Sequence, residues 1–379
     1  MHSMTQEKPL VIGGVDAHAE THHFAALDDR GALLGSASFP TTTAGYAQAL
    51  QWLERFGQPD AVAVESTGSY AAALVRYLRE HDIRVAEVNQ PHAHTRRRIG
   101  KSDPIDAEMA ARLLLAGKAT VVPKHTSGVV ESIRLLRVAR ESAVKARTAA
   151  TLQLGDLIIT APQPLRDRLA ERKTLRGKAS VCARFRLSTA DLRDPHHATK
   201  LALRSIAQRI EMLEREISEL DRELKQLVKQ AAPRTIQLLG ISTGHAGQLL
   251  TTAGENIDRL KGESSFAALC GASPIPASSG KTSRHRLNPG GNRDANRALH
   301  LIAVVRLRYC PRTRAYAERR TQEGKSKREI IRCLKRYIAR EVYNTLLADL
   351  TALDGNAPPR TATAIHCGGF GSGISRRRA

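Results

Sequence analysis

The chain has 379 residues, 41% of them apolar and 25% charged, which fits roughly two or three folded domains and excludes a disordered polymer. Lysine and arginine total 59 against 37 acids, a formal charge of +22 that points to a polyanionic partner. Only 4% of residues are aromatic, so the cores should be aliphatic, with little base stacking on exposed rings. The five cysteines are odd in number and contain no C-x-x-C pair, which argues against a disulfide framework and against a zinc ribbon. Met1 to Lys8 has no apolar core of a signal peptide, and no apolar run approaches the roughly 20 residues of a membrane span. A cytoplasmic protein with no membrane contact is expected.

In chain order, Pro9–His18, Thr21–Asp28 and Ala32–Phe39 read as strands, with hairpin-turn chemistry in Asp28-Asp29-Arg30-Gly31. Thr41-Thr42-Thr43 should cap a helix to about Phe56 that places Tyr46, Leu50 and Leu53 on one face. A buried strand Ala61–Glu65, a helix from Ser69 to about His81 and a strand Arg84–Val88 follow. The order βββαβαβ, with right-handed crossovers, is that of the ribonuclease H-like fold, an α/β architecture.

From about 125 to 230 the chain reads as helical. Leu203, Ile206, Ile210, Leu213, Ile217, Leu220, Leu224 and Leu227 alternate spacings of three and four, a heptad seam long enough for a coiled coil. That seam suggests pairing with a second copy, as a homodimer or homotetramer; the alternative is a long helix packed within its own chain. Pro233 ends the arm, and residues beyond it read as a mostly α-helical unit. The expected division is 9–122 for the ribonuclease H-like part, 123–232 for the helical arm and 233–352 for the C-terminal helical part. The Gly-, Pro- and Arg-rich stretch 353–379 should be a disordered basic tail. Charge follows this division. Residues 1–90 hold 6 basic and 11 acidic side chains, a net of −5, whereas residues 281–340 hold 18 basic and 4 acidic ones, a net of +14. Acids gathered in front and cations behind suggest that one part collects carboxylates and the other grips phosphates.

Asp16 should end the first strand and Glu65 the buried one. In a ribonuclease H-like sheet these strands are parallel neighbours, so the two carboxylates would lie side by side. Asp103 and Asp106 stand three apart at a helix start, with Pro104 suited to the first turn, so both share one helix face. Four carboxylates in one pocket repel strongly unless cations neutralise them, and two Mg²⁺ ions about 4 Å apart are the usual solution in phosphodiester chemistry. Taken singly, Asp16 could merely precede a turn, Glu65 could pair with Arg76 or Arg79, and Asp103 could be a helix cap.

Gly-Val-Asp16-Ala-His, Val-Glu65-Ser-Thr-Gly68-Ser-Tyr70 and Lys101-Ser-Asp103-Pro-Ile-Asp106-Ala107 resemble the Asp-Glu-Asp-Asp signature of a bacterial insertion-sequence transposase family. That family includes the pilin-gene-inverting recombinase and the bridge-RNA-guided recombinases. Phe266-Ala-Ala-Leu-Cys-Gly271-Ala-Ser-Pro274, Ala277-Ser278-Ser279-Gly280-Lys281 and Gly291-Asn292-Arg293-Asp-Ala-Asn296-Arg297-Ala-Leu299 extend the likeness over roughly residues 9–350. The resemblance implies a RuvC-like N-terminal domain, a coiled-coil arm and a C-terminal transposase domain with a nucleophilic serine, which is Ser279 by its place directly before Gly280, with Ser278 as the alternative. It also implies that a guide RNA encoded by the element chooses the DNA target. A serine beside a glycine is accessible, and Lys281, Arg284, His285 and Arg286 could stabilise the charge of a phosphoryl intermediate. Seen alone, Ser278-Ser279-Gly280 is a flexible turn. Arg293, Arg297, Lys325, Lys327, Arg328 and, beside the acids, Lys101 join Lys281, Arg284 and Arg286 as candidate nucleic-acid contacts.

Other signals do not carry chemistry. Gly280-Lys281-Thr282 lacks the upstream glycine of a phosphate-binding loop, Ile275 standing in its place, and the Gly-rich run 368–373 has the character of a linker. The histidines at 18, 22, 23, 92 and 94 lack the partners of a zinc site, and His18 is at most an outer neighbour of Asp16. Two rival functions use part of the same pattern: a metal-dependent junction-resolving nuclease without a serine step, and a non-catalytic nucleic-acid-packaging protein.

Overall fold

The first strand, β1 (Leu10–Ala17), is a nearly continuous buried run, and it forms the middle of a five-stranded sheet. The computed structural model describes residues 8–65, 67–88, 102–187, 192–256, 259–280, 285–286 and 288–355. β2 (Thr21–Leu27) and β3 (Leu33–Pro40) follow antiparallel, and β4 (Gln58–Glu65) and β5 (Arg84–Val88) add in parallel on the other side, in the order β3-β2-β1-β4-β5. At the β2–β3 turn the Asp28 carboxylate accepts from the backbone N–H of Arg30 (3.0 Å) and Ala32 (2.7 Å), which leaves Gly31 at φ +89°. Helix α1 (Thr43–Glu54) starts where the threonine triplet places it: Thr42 Oγ1 accepts from the Gly45 N–H at 3.1 Å. With α2 (Ala72–Glu80) it covers one sheet face through a core of Val11, Val15, Phe24, Leu53, Val62, Val64, Leu74 and Leu78.

Helix α3 (Asp103–Leu115) covers the opposite face, and small side chains on both sides let it come close. Ala107, Ala110 and Ala111 are the buried small residues of the helix, and Ile12, Leu27, Ala63 and Val88 meet them from the sheet. A Cβ on Gly14 would stand 2.0 Å from the Ala107 carbonyl oxygen and 2.5 Å from the Ala111 nitrogen. Glycine at 14 is therefore a condition of this packing. The far end of α3 is held to the β2–β3 turn by Arg112 Nη1, which donates to the Gly31 carbonyl at 3.0 Å.

Beyond the sheet the described chain is almost wholly helical. α4 (Val129–Ile159) is followed by the short α5 (Gln163–Ala170) and α6 (Leu175–Ala183) and then by α7 (Pro195–Ala231). The heptad seam does not wait for a second copy: Leu203, Ile210, Leu213, Ile217 and Leu224 are buried inside their own chain. Leu203 and Ile210 pack with Leu154 of α4 and with Leu165, Leu169 and Cys182 of α5 and α6. Leu213 and Ile217 meet Ala143, and Leu224 and Val228 meet Val130 and Ile133. These pairings run antiparallel, and α4 supplies small and aliphatic residues at matching heights, so the seam's apolar surface is consumed intramolecularly. Five of the eight seam residues thus follow the intrachain alternative, and Ile206, Leu220 and Leu227 stay half-buried.

α8 (Thr243–Ala253), α9 (Glu263–Leu269), α10 (Arg293–Tyr309), α11 (Pro311–Gln322) and α12 (Lys327–Gly355) complete the C-terminal helical region. Its core contains Leu249, Leu250, Phe266, Leu299, Ile302, Ile338, Val342 and Leu346 and extends to the roots of α4 and α7. Between α9 and α10 a two-residue hairpin, β6 (Ile275–Pro276) with β7 (His285–Arg286), interrupts the helices. The basic tail beyond 355 lies outside the described residues, and no described helix is long and apolar enough to cross a membrane.

Replacing Gly14 by alanine is expected to push α3 off the sheet, costing about 1–3 kcal/mol of stability as overpacking does. Thermal unfolding and DNA cleavage of Gly14→Ala check this; the same change at exposed Gly68, where a Cβ meets nothing within 4 Å, should leave stability unchanged.

Candidate active site

Strand alternation decides which acids can meet. Val15 and Val64 point into the α1–α2 core, so their neighbours Asp16 and Glu65 fall on the face that α3 covers. β1 and β4 run parallel with Val15 opposite Val64, which places residues 16 and 65 side by side at the carboxyl ends of their strands. The first turn of α3 arrives at the same edge, bringing Asp103 and Asp106 on one helix face. Its N-terminus, preceded by Ser102, offers the positive end of the helix dipole to those acids.

The result is an acidic pocket of graded burial. Asp16 is 8% exposed and Asp106 only 4%, Glu65 is half-buried, and Asp103 is exposed. His18 Nε2 lies 3.1 Å from Asp16 Oδ2 and 3.3 Å from Asp103 Oδ1, so the imidazole joins strand end to helix start. One ligand atom from each of Asp16, His18 and Asp103 falls within 4.8 Å of the others, the one such group of three or more among the described residues. Burial holds the Asp16 carboxyl above its ordinary pKa; His18 pulls it down, and the charges of Asp103 and Asp106 push it up further. Hard carboxylate oxygens converging where their own repulsion is felt suit a divalent cation, and the imidazole adds a nitrogen donor.

His18 had looked like an outer neighbour of Asp16, yet it also contacts Asp103. Its place two residues past the strand's last acid, at a tight β1–β2 turn, was the only available signal. His23, opposite Asp16 on β2, is tethered by Ser38 Oγ (2.7 Å) and Ser36 Oγ (2.5 Å). His22 points the other way, is fully buried and stacks on Tyr46 with ring centroids 5.8 Å apart. Desolvation lowers its pKa and keeps it neutral.

Ser279 sits elsewhere, exposed in the hairpin loop beside Gly280 at φ +55°, in a part of the fold rooted on the C-terminal helices. Arg332 Nη1 reaches the His285 carbonyl at 3.5 Å and ties that hairpin to α12. The structure therefore brings Asp16, Asp103, Asp106 and Glu65 to one edge of the sheet, whereas Ser279 belongs to the hairpin between α9 and α10. Arg286, Arg293, Arg297, Lys327 and Arg328 are exposed and Lys325 is half-buried; Arg297 is paired with Asp294 at 2.5 Å. Lys101, Lys281 and Arg284 lie outside the described residues, as do His92 and His94.

Residues 13–160, which contain all four acids, match a transposase family model for the DEDD domain of IS110 elements. Residues 234–318, which contain Ser279, match the model described as transposase IS116/IS110/IS902 family. The chain is an IS110-family transposase. No curated protein sequence matches it. A transposase acts on DNA, a polyanion of the kind the formal charge of +22 points to.

Because desolvation and neighbouring acids disfavour the Asp16 carboxylate, the folded state binds its proton more tightly than the unfolded chain does. Stability is then lost as pH rises above the ordinary value of 3.8. In metal-free buffer Asp16→Asn of the transposase should melt a few degrees higher than wild type at pH 7, and the difference should vanish towards pH 3. Thermal melts across pH check this.

Proposed function

We propose that this transposase cuts and rejoins DNA strands with Mg²⁺ held by Asp16, Glu65, Asp103 and Asp106 and with Ser279 as the attacking hydroxyl. What supports the metal-site reading is the meeting of Asp16 with Asp103 across the Gly14 gap, strand end against helix start. Bound there, divalent cations would polarise a phosphodiester and favour an ionised oxygen near neutral pH. The four acids orient that site, and the buried setting of Asp16 and Asp106 limits the water competing for it. His18 holds the Asp16 and Asp103 carboxylates in register.

Attack by Ser279 Oγ forms an Oγ–phosphorus bond as the phosphorus–oxygen bond to the departing strand breaks, and the serine proton leaves to a base or solvent. The phosphoserine keeps the energy of the broken DNA bond. A hydroxyl of the incoming strand then displaces Oγ, which regains a proton. Recombination needs such conservation, whereas hydrolysis does not. The exposed Arg286, Arg293, Lys327 and Arg328, with Arg297, Lys325 and the undescribed Lys101, Lys281 and Arg284, are assigned to phosphate contacts. In this reading a homodimer or homotetramer unites carboxylates and serine at one phosphate, and an element-encoded guide RNA selects the target while the protein reads backbone and shape.

The test is incubation of the chain with DNA carrying the element ends, Mg²⁺ and co-purified RNA. A covalent protein–DNA adduct should form and map to Ser279. Ser279→Ala should lose the adduct and reduce strand transfer by about 10³-fold or more, with DNA binding retained. Cleavage unchanged in Ser279→Ala would instead identify a metal-dependent nuclease without a serine step.

A further inference from the structure

A cleft of about 480 Å³ opens between the β6–β7 hairpin, the turn after α9 and the first half of α12. Arg286, Arg320, Lys325, Arg332, Lys335 and Arg336 line it with one carboxylate, Glu329, while Glu323 pairs with Arg320 and Glu263 with Arg336 from outside the cleft. Glu329 is already engaged at the start of α12, accepting from the Ser326 N–H (2.9 Å) and hydroxyl (2.7 Å). Six cations thus face three acids around the cleft, a net positive charge.

One of them is set deeper than a solvated basic face requires, and two more are partly buried. Lys335 is 6% exposed, and its Nζ donates to Asn296 Oδ1 at 2.8 Å. Asn296 in turn donates to the carbonyls of Cys270 (3.0 Å) and Gly271 (2.9 Å), which fixes the lysine against the turn that walls the cleft. Burial and the neighbouring Arg332 lower the lysine's pKa, so its charge is held at a cost. Arg320 Nε and Arg336 Nη1 are buried without a hydrogen-bond partner among the described residues. Their other nitrogens meet Glu323 and Glu263, but these two N–H groups left unpaired are unfavourable, and an oxyanion is an acceptor that would satisfy them. Beside them Tyr337 is 55% exposed, its ring steadied edge-on by Tyr316 at 5.6 Å. It is an exception in a chain poor in aromatics.

We propose that this cleft seats one nucleotide of a single nucleic-acid strand, with its phosphate against Lys335, Arg320 and Arg336 and its base stacked on Tyr337. The inference rests on the nucleic-acid reading given above and adds the form of the partner. A cavity of this size falls in the range, about 300–1,000 Å³, that encloses one small ligand unit; a paired duplex cannot enter it, nor can its bases stack on a side chain. A second cavity shares Asn288 with the first and carries Arg293, Arg297 and His300 at the start of α10, so a strand leaving the cleft continues over further cations.

Fluorescence anisotropy of the full chain with labelled single-stranded DNA, RNA of the same sequence and duplex DNA, over a salt series, tests the proposal. Tyr337→Leu should weaken single-strand binding about 5- to 150-fold, the loss of one stacked base, with duplex binding and the salt slope unchanged. Arg320→Gln and Lys335→Gln should each make the salt dependence shallower by about 0.7 in log–log slope, one phosphate contact. Melting points accompany each variant, and Arg320→Gln, on the cleft rim, carries the test should buried Lys335→Gln unfold. Losses confined to DNA or to RNA both support the site and identify its strand. Unchanged single-strand affinity in Tyr337→Leu together with an unchanged slope in Arg320→Gln overturns the site, while the serine adduct would still stand. Failure of the wild type to bind any of the three nucleic acids ends both this inference and the function on which it rests.

Discussion

How near α3 can come to β1 governs the acidic pocket. Like charges resist being gathered, so the fold must supply the approach from elsewhere. Gly14 on the strand and Ala107, Ala110 and Ala111 on the helix remove side-chain bulk where the two elements cross, and apolar contacts from Ile12, Leu27, Ala63 and Val88 provide the driving force. The helix then delivers Asp103 and Asp106 to the strand ends that present Asp16 and Glu65. Burial under the helix raises the Asp16 pKa, and the nearby charges of Asp103 and Asp106 add to it, so packing holds an acid where it is poorly solvated. A site of this kind is ready for a cation in a way that scattered surface carboxylates are not.

The sheet and the helical region are also firmly joined. The segment between α3 and α4 is clamped from both sides. Arg79 donates to the carbonyls of Pro123 (2.9 Å) and Lys124 (3.2 Å), and Arg76 to Thr126 Oγ1 (3.2 Å), from the sheet side. Asn256 donates to the Pro123 carbonyl (3.0 Å) and accepts from the His125 N–H (3.1 Å), while Lys124 Nζ donates to the Thr251 carbonyl (2.8 Å), from the helical side. Burial beside Arg259 lowers the Lys124 ammonium to about 8. A connection made of backbone carbonyls and buried cations fixes the acids relative to the helices that carry the basic cleft.

Much of this was legible in the residues. Alternating and continuous apolar runs located all five strands of the sheet, Asp28-Asp29-Arg30-Gly31 located the hairpin turn, and the threonine triplet located the cap of α1, because these are local rules of backbone and side chain. Asp103 and Asp106 were assignable to one helix face from their spacing and Pro104 alone. The seam of α7 was read correctly as apolar, but its packing on α4 was not foreseen: periodicity reports that a stripe must be buried, not by what, and α4 lies far away in sequence. His18 and Lys335 were not legible for the same reason. Each acquires its meaning from a residue on another element, Asp103 in one case and Asn296 in the other, and no local pattern announces such a meeting.

The account stands or falls on divalent cations held by acids from β1, β4 and α3. Manganese electron paramagnetic resonance on Ser279→Ala bound to element-end DNA measures this directly, since the variant retains the acids and does not turn over. Two saturable Mn²⁺ sites per chain are expected, displaced by Mg²⁺ and lost when Asp16→Asn or Asp103→Asn is added. Absence of saturable binding, or binding that survives both substitutions, would contradict the claim.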